Sequence, residues 1–173
     1  MFRLGNKDRA KHRPIRRKEK KRNIRENVLS LLEIEKHLLS STSYLGAIYV
    51  SSFKSIIVKS LCFSFLVYCN NHWFVIYCCK DNVEIFDSVG FLKTKQCATA
   101  NLLKFLSNQI GCKNLKASRT LQPTHSKLCG IYALYYIIMR DKGNSFEQIM
   151  DTFTYDLANN DNLMLRFFNK ING

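Results

Sequence analysis

The chain has 173 residues, 46% of them hydrophobic, with only 7 Gly and 2 Pro; that suits one domain with a filled core and excludes a low-complexity or fibrous protein. The formal net charge of +14 is uneven, since residues 1–25 hold 12 Lys/Arg against two acids while residues 26–173 hold 15 against 11. No run approaches 18 apolar residues and no apolar segment follows the basic start, so neither a transmembrane helix nor a secretory signal is expected.

Residues 1–25 read as a disordered basic arm, followed by one domain over 26–173. The arm suits a solvated tail, a nuclear-import signal or non-specific contact with nucleic-acid phosphates, and its composition does not separate these. Ile24, Val28, Leu31, Leu32, Ile34, Leu38 and Leu39 recur at helical spacing and predict a helix over 24–40, ended by Ser40-Ser41-Thr42-Ser43. Tyr44 to Val50 reads as a loop or short strand. Ile56–Val58, Leu61–Cys69, Trp73–Cys79 and Val83–Phe86 are rich in β-branched and aromatic residues and predict strands, the last two joined at Lys80-Asp81-Asn82 as a hairpin. A helix over Cys97–Ile110, a short strand within Lys113–Arg119 and a buried apolar helix over Cys129–Arg140 follow. Ser145 caps a helix that begins at Phe146. Asp161-Asn162 opens a final helix.

The seven cysteines are odd in number and form no CxxC pair. Cys62, Cys69, Cys78 and Cys79 fall in apolar runs, where cysteine is most often a small buried hydrophobe. Neither a disulfide framework nor a zinc site is expected from this spacing.

Four residues carry chemistry: His72, Asp87, Gln122 and Cys129. A polar, Pro-containing segment precedes Cys129 and an apolar helix follows it. The thiol therefore sits at a helix start, where the dipole and free N–H groups favour a thiolate. Gly130 beside it would let a substrate backbone approach. Gln122 can donate its side-chain N–H to the oxyanion of a tetrahedral intermediate, together with the Cys129 N–H. His72, at the entry of a strand after Asn70-Asn71, can take the thiol proton, with Trp73 shielding its ring. Asp87 ends the strand paired with that of His72, so its carboxylate can fix the imidazole tautomer. Each has a plainer reading: first core residue of a helix, loop amide, strand-edge His, strand-terminating Asp. His125 competes as base but lies only four residues before Cys129 in the same loop; His12 and His37 lie in the arm and on the first helix. Glu84, in mid-hairpin, reads as a solvent-facing charge.

With these residues in view, the chain resembles the adenovirus-type cysteine proteases (adenain), which share a core with the SUMO- and ubiquitin-like-specific proteases. The resemblance lies in His72-Trp73, Asp87-Ser88-Val89-Gly90, Gln122 and Cys129-Gly130 in that order, with Tyr44-Leu45-Gly46 similar to an early Leu-Gly turn of the family. It covers roughly residues 27–140. The order His before Cys fits the papain-like enzymes less well. The resemblance implies an α+β fold, a central mixed β-sheet packed against a buried helix that carries the nucleophile at its N-terminus. It implies a thiol endopeptidase of viral or virus-like mobile-element origin that cuts capsid and core precursor proteins, in the virion and host nucleus, as a monomer without membrane contact. Adenain has Glu where this chain has Asp87; related proteases use Asp. No cofactor is required, but the family suggests stimulation by DNA, with which the arm is compatible, and by a disulfide-linked viral peptide. Cys112 lies close to where that peptide-linking cysteine would fall; a plain loop thiol after Gly111 is the alternative. Two other functions stay open: a deSUMOylase or deubiquitinase of the same superfamily, and a non-enzymatic basic nucleic-acid-binding virion protein.

Overall fold

The structure is a computed structural model that describes residues 29–49, 61–90 and 113–173. The predicted arm, the strand at Ile56–Val58, the helix at Cys97–Ile110 and Cys112 lie outside the described residues.

Among the described residues, five strands form one mixed sheet in the order β1-β2-β3-β4-β5. They are β1 (Tyr44–Tyr49), β2 (Cys62–Cys69), β3 (His72–Cys79), β4 (Asn82–Phe86) and β5 (Asn114–Ala117). The three central strands run antiparallel to one another, and each edge strand is parallel to its neighbour. Among the described residues, four helices accompany the sheet: α1 (Leu31–Leu38), α2 (Cys129–Asp141), α3 (Phe146–Asp151) and α4 (Leu157–Asn172). The fold is α+β, a mixed sheet against a buried helix, as expected.

Turn chemistry sets the sheet's register. Asn70 and Asn71 join β2 to β3 with φ of 48° and 59°. Two successive left-handed residues make a hairpin turn whose twist matches the strands, and Asn tolerates that conformation better than most residues. Cys69 consequently faces His72, and Cys62 faces Cys79 at the opposite end of the hairpin. Cys62 and Cys79 are joined by a disulfide, which corrects their reading as isolated buried thiols. Cys69 is disulfide-bonded as well, whereas Cys78 and Cys129 are free.

The central strands β2, β3 and β4 are buried on both faces. Leu66, Trp73, Val75, Tyr77 and Phe86 pack with α2 in one core, while Phe63, Phe65, Val67, Phe74, Ile76 and Ile85 are buried on the other side. Every residue of α2 from Cys129 to Ile137 is buried, which is why this segment reads as a continuous apolar run rather than an amphipathic stripe. Burial of each large side chain contributes on the order of 2 kcal/mol. Phe86 stacks on Tyr136 at 4.3 Å between ring centroids.

Several boundaries differ from expectation. Helix α1 begins at Leu31, behind a capping box in which Ser30 and Glu33 satisfy each other's backbone N–H groups. The Tyr44 segment is a strand whose register shifts between Tyr44 and Gly46. Helix α4 begins at Leu157, not Asp161, because the Asp156 carboxylate accepts from the Ala158 and Asn159 N–H groups. Ser145 caps α3 as expected. Glu84 is buried, not solvent-facing: its carboxylate accepts from Tyr136 Oη at 2.5 Å and lies 3.1 Å from Arg140 Nε.

Candidate active site

His72 opens β3 and Asp87 follows the last residue of β4. The β3–β4 register pairs Val75 with Phe86, so continuing it brings the first residue of β3 and the residue beyond β4 to the same end of the sheet. There His72 Nε2 lies 2.8 Å from Asp87 Oδ1. The carboxylate can only accept at neutral pH, so Nε2 carries the hydrogen and Nδ1 is the other working nitrogen. The Cys129 side chain is near enough to the His72 ring to raise its pKa, by hydrogen bonding and by charge.

Asp87 is fully buried at 0% exposure, and the chain around it is built to hold a carboxylate. Its Oδ1 also accepts from the Val89 N–H at 3.0 Å. Its backbone is clasped by Ser118, whose Oγ accepts from the Asp87 N–H and donates to the Asp87 carbonyl, both at 2.7 Å. The turn closes with Gly90 at φ +91°, where a Cβ would fall 2.7 Å from Thr120 Oγ1. Any larger residue would push this turn off the segment that follows β5.

Cys129 is the first residue of α2 and is 3% exposed. The preceding Leu128 offers no side-chain cap to the first N–H groups of this helix. Burial pulls the His72 imidazole's pKa down. Hydrogen bonds to Asp87 and Cys129, and the negative charge of both, outweigh that and push it up to about 9. At neutral pH the His72 imidazole is therefore held in its protonated, cationic form.

Gln122 is 2% exposed. Its Oε1 accepts from Ser88 Oγ at 2.5 Å and its Nε2 donates to the Ser126 carbonyl at 2.8 Å. A carbonyl can only accept, so these contacts fix which end of the amide is nitrogen.

The structure thus brings His72, Asp87 and Cys129 together and holds Gln122 buried at the start of the loop that leads to Cys129. His125 is exposed in the loop, and His37 sits edge-on to Phe168 at 5.6 Å. Two neighbours differ from expectation. Trp73 packs on Tyr68 at 4.5 Å between ring centroids and donates from Nε1 to the Leu29 carbonyl, while the ring stacked near His72 is Phe74. Gly130 faces inward: a Cβ there would meet Leu29 and Ile34 at 3.1 Å. Its small size lets α1 approach α2 rather than admitting a substrate. Ser88, Ser118 and Ser126 were not singled out from sequence; the only signal was that two of them flank Asp87 and Cys129 in short polar segments.

Neither any protein-family model nor any curated protein matches the chain. Solved structures do. The central domain of the uncharacterized Lpg1148 protein from Legionella pneumophila superposes with a TM-score of 0.54 at 18% identity, covering 83% of this chain and 96% of that domain. Two proteases are also similar. The SUMO protease Ulp1, with its catalytic cysteine oxidized to a sulfinic acid, has a TM-score of 0.46 at 16% identity, covering 72% of this chain and 73% of that one. The ASFV pS273R protease has a TM-score of 0.39 at 19% identity, covering 60% of this chain and 42% of that one. At these identities the likeness is one of fold.

Proposed function

We propose that the protein is a thiol endopeptidase in which Cys129 is the nucleophile, His72 the acid–base, Asp87 the group that orients His72, and Gln122 an oxyanion donor. One observation carries this reading: an imidazole held 2.8 Å from a buried carboxylate also feels the side chain of a buried cysteine at the start of a buried helix. The Cys129 thiolate attacks the scissile carbonyl carbon, and the carbonyl electron pair moves to oxygen. The Cys129 N–H and the Gln122 amide stabilise that oxyanion. Collapse of the intermediate expels the amine, which takes the proton from the imidazolium. Water, losing a proton to the now neutral His72, then attacks the thioester and releases the acid, restoring the ion pair.

The resemblance to adenain-type enzymes supports precursor proteins of a virus or virus-like element as substrates. On this reading the basic arm contacts DNA through phosphates, with affinity that falls as salt rises. The test is cleavage of a pool of internally quenched peptides rich in Gly-containing bonds by the full chain and by Cys129→Ala. Loss of cleavage in the variant is expected; retained activity would remove the reading. Covalent capture by a ubiquitin-like vinyl-sulfone probe would shift the substrate to a modifier protein.

A further inference from the structure

One segment, 118–122, is stitched to the turn that carries Asp87. The Ser118 N–H donates to the Ile85 carbonyl at 2.9 Å, and Thr120 Oγ1 donates to the Val89 carbonyl at 3.2 Å. The Ser88 carbonyl accepts from both the Leu121 and Gln122 N–H groups, at 2.7 and 2.9 Å. Ser88 is 1% exposed and its Oγ lies 2.5 Å from Gln122 Oε1. Ser88 therefore holds Gln122 twice, by main chain and by side chain.

We infer that Ser88 is a positioning residue for the oxyanion donor, its buried hydroxyl holding the Gln122 amide in the orientation that donates from Nε2. This rests on the peptidase reading above. The amide nitrogen has two hydrogens. Ser126 takes one, and the other is available to a developing oxyanion. A hydroxyl donating into Oε1 also polarises the amide and makes that remaining N–H the stronger donor. Without the hydroxyl, Oε1 is buried with no donor, and the amide is free to rotate or flip to recover a partner. Because Asp87 and Ser88 are consecutive, one turn sets both the imidazole and the oxyanion donor.

The test separates chemistry that builds an oxyanion from chemistry that does not. Alkylation of Cys129 by iodoacetamide is a displacement at carbon and forms no oxyanion. Capture of a peptide glycinal by Cys129 does: sulfur bonds to the aldehyde carbon, and the carbonyl pair goes to oxygen. Both are measured on the full chain, the second by protection of Cys129 from alkylation. Ser88→Ala is expected to weaken glycinal capture about tenfold and Gln122→Ala about a hundredfold, with the double variant no weaker than Gln122→Ala. The iodoacetamide rate of Cys129 should change less than about twofold in each, as that reaction needs only the thiolate. If Ser88→Ala weakens capture equally in the Gln122→Ala background, or not at all, the inference is overturned. If Ser88→Ala does not fold, the cycle is run with Ser88→Cys, which keeps the volume and donates weakly; a smaller loss confined to the Gln122 background is expected, and an additive loss overturns the inference. Should wild-type Cys129 alkylate no faster than Cys78, the peptidase reading itself fails, an outcome distinct from an additive cycle.

Discussion

Two buried polar clusters sit along the interface between the sheet and α2. Glu84 lies in β4, with Tyr136 and Arg140 in the second half of α2; Asp87 lies just past β4, with Cys129 at the start of the helix. In the first, the acid's partners are fixed. Tyr136 Oη donates to the carboxylate, the Arg140 guanidinium lies beside it at 3.1 Å, and its far side rests 4.2 Å from the Tyr77 ring centroid. Burial, then the charge of Glu84, hold the Tyr136 phenol far above its ordinary range, so it stays protonated. In the second, the acid supports a histidine whose other neighbour is a thiol, and the proton between those two can move. Two acids, one in β4 and one just past it, thus have different settings: Glu84 joins helix to sheet, and Asp87 holds a histidine.

The largest effect should come from the mobile end. Cys129→Ala or His72→Ala should lower peptide cleavage about ten-thousand-fold or more, as removal of a nucleophile or base does in related chemistry. The same variants should leave the fold intact by circular dichroism. A variant that lost both activity and fold would blur the contrast between the clusters, since the Cys129 end would then also be locking the structure.

Glu84→Ala is the complementary break. It strips a buried guanidinium of its counter-charge, which typically costs about 3–5 kcal/mol. The midpoint of denaturant unfolding should fall accordingly, while the iodoacetamide rate of Cys129 in the folded protein stays near wild type. A small stability change would mean that Arg140 is satisfied by the Tyr77 ring and the Asn144 carbonyl, to which it also donates.

That Glu84 belongs to a buried network was not legible in the sequence, and the reason is physical. Its hydrogen-bond partner lies 52 residues away, and alternation along a short strand cannot say whether a helix covers that face. The central strands β2, β3 and β4 were legible because β-branched and aromatic residues fill both of their faces. Helix α2 was legible because it is apolar all round. The candidates His72, Asp87 and Cys129 stood out because each lies at an element boundary, where polar residues interrupt apolar runs, whereas Gln122 lies within a loop. The disulfide was not, since only the register places Cys62 opposite Cys79. Ser88 was not, since its role depends on a segment 34 residues on.

A smaller effect should follow pH. The His72 imidazolium persists to about pH 9, so peptide cleavage should fall roughly tenfold per pH unit above that value as the acid for the leaving amine is lost. Alkylation of Cys129 should not fall there, because a free thiolate still reacts. Stability has the same sign. His72 is raised above its unfolded value of 6.5, so its contribution is fully present below that pH and is lost as pH rises through about 9. Asp87→Asn removes one of the groups that raise it, so both alkaline limbs should move to lower pH. An unmoved limb would mean that the Asp87 carboxylate orients the ring without stabilising its charge.

The smallest predicted effect concerns the locked end alone. Tyr136→Phe keeps the ring that stacks on Phe86 and removes only the hydroxyl that Glu84 accepts from. A hydrogen bond to a charged group is worth about 1.5–3 kcal/mol, but Arg140 remains to hold the carboxylate, so the loss should lie at the lower end of that range. The double variant Tyr136→Phe/Glu84→Ala then measures how far the pair acts as a unit. If the two costs simply add, the hydroxyl and carboxylate contribute separately, and helix and sheet are held by ring packing more than by the buried bond. If the double variant is little worse than Glu84→Ala alone, the hydroxyl matters only through the carboxylate. This end of the interface is then a fixed clasp, and on the proposed peptidase function proton transfer falls to the Cys129 end.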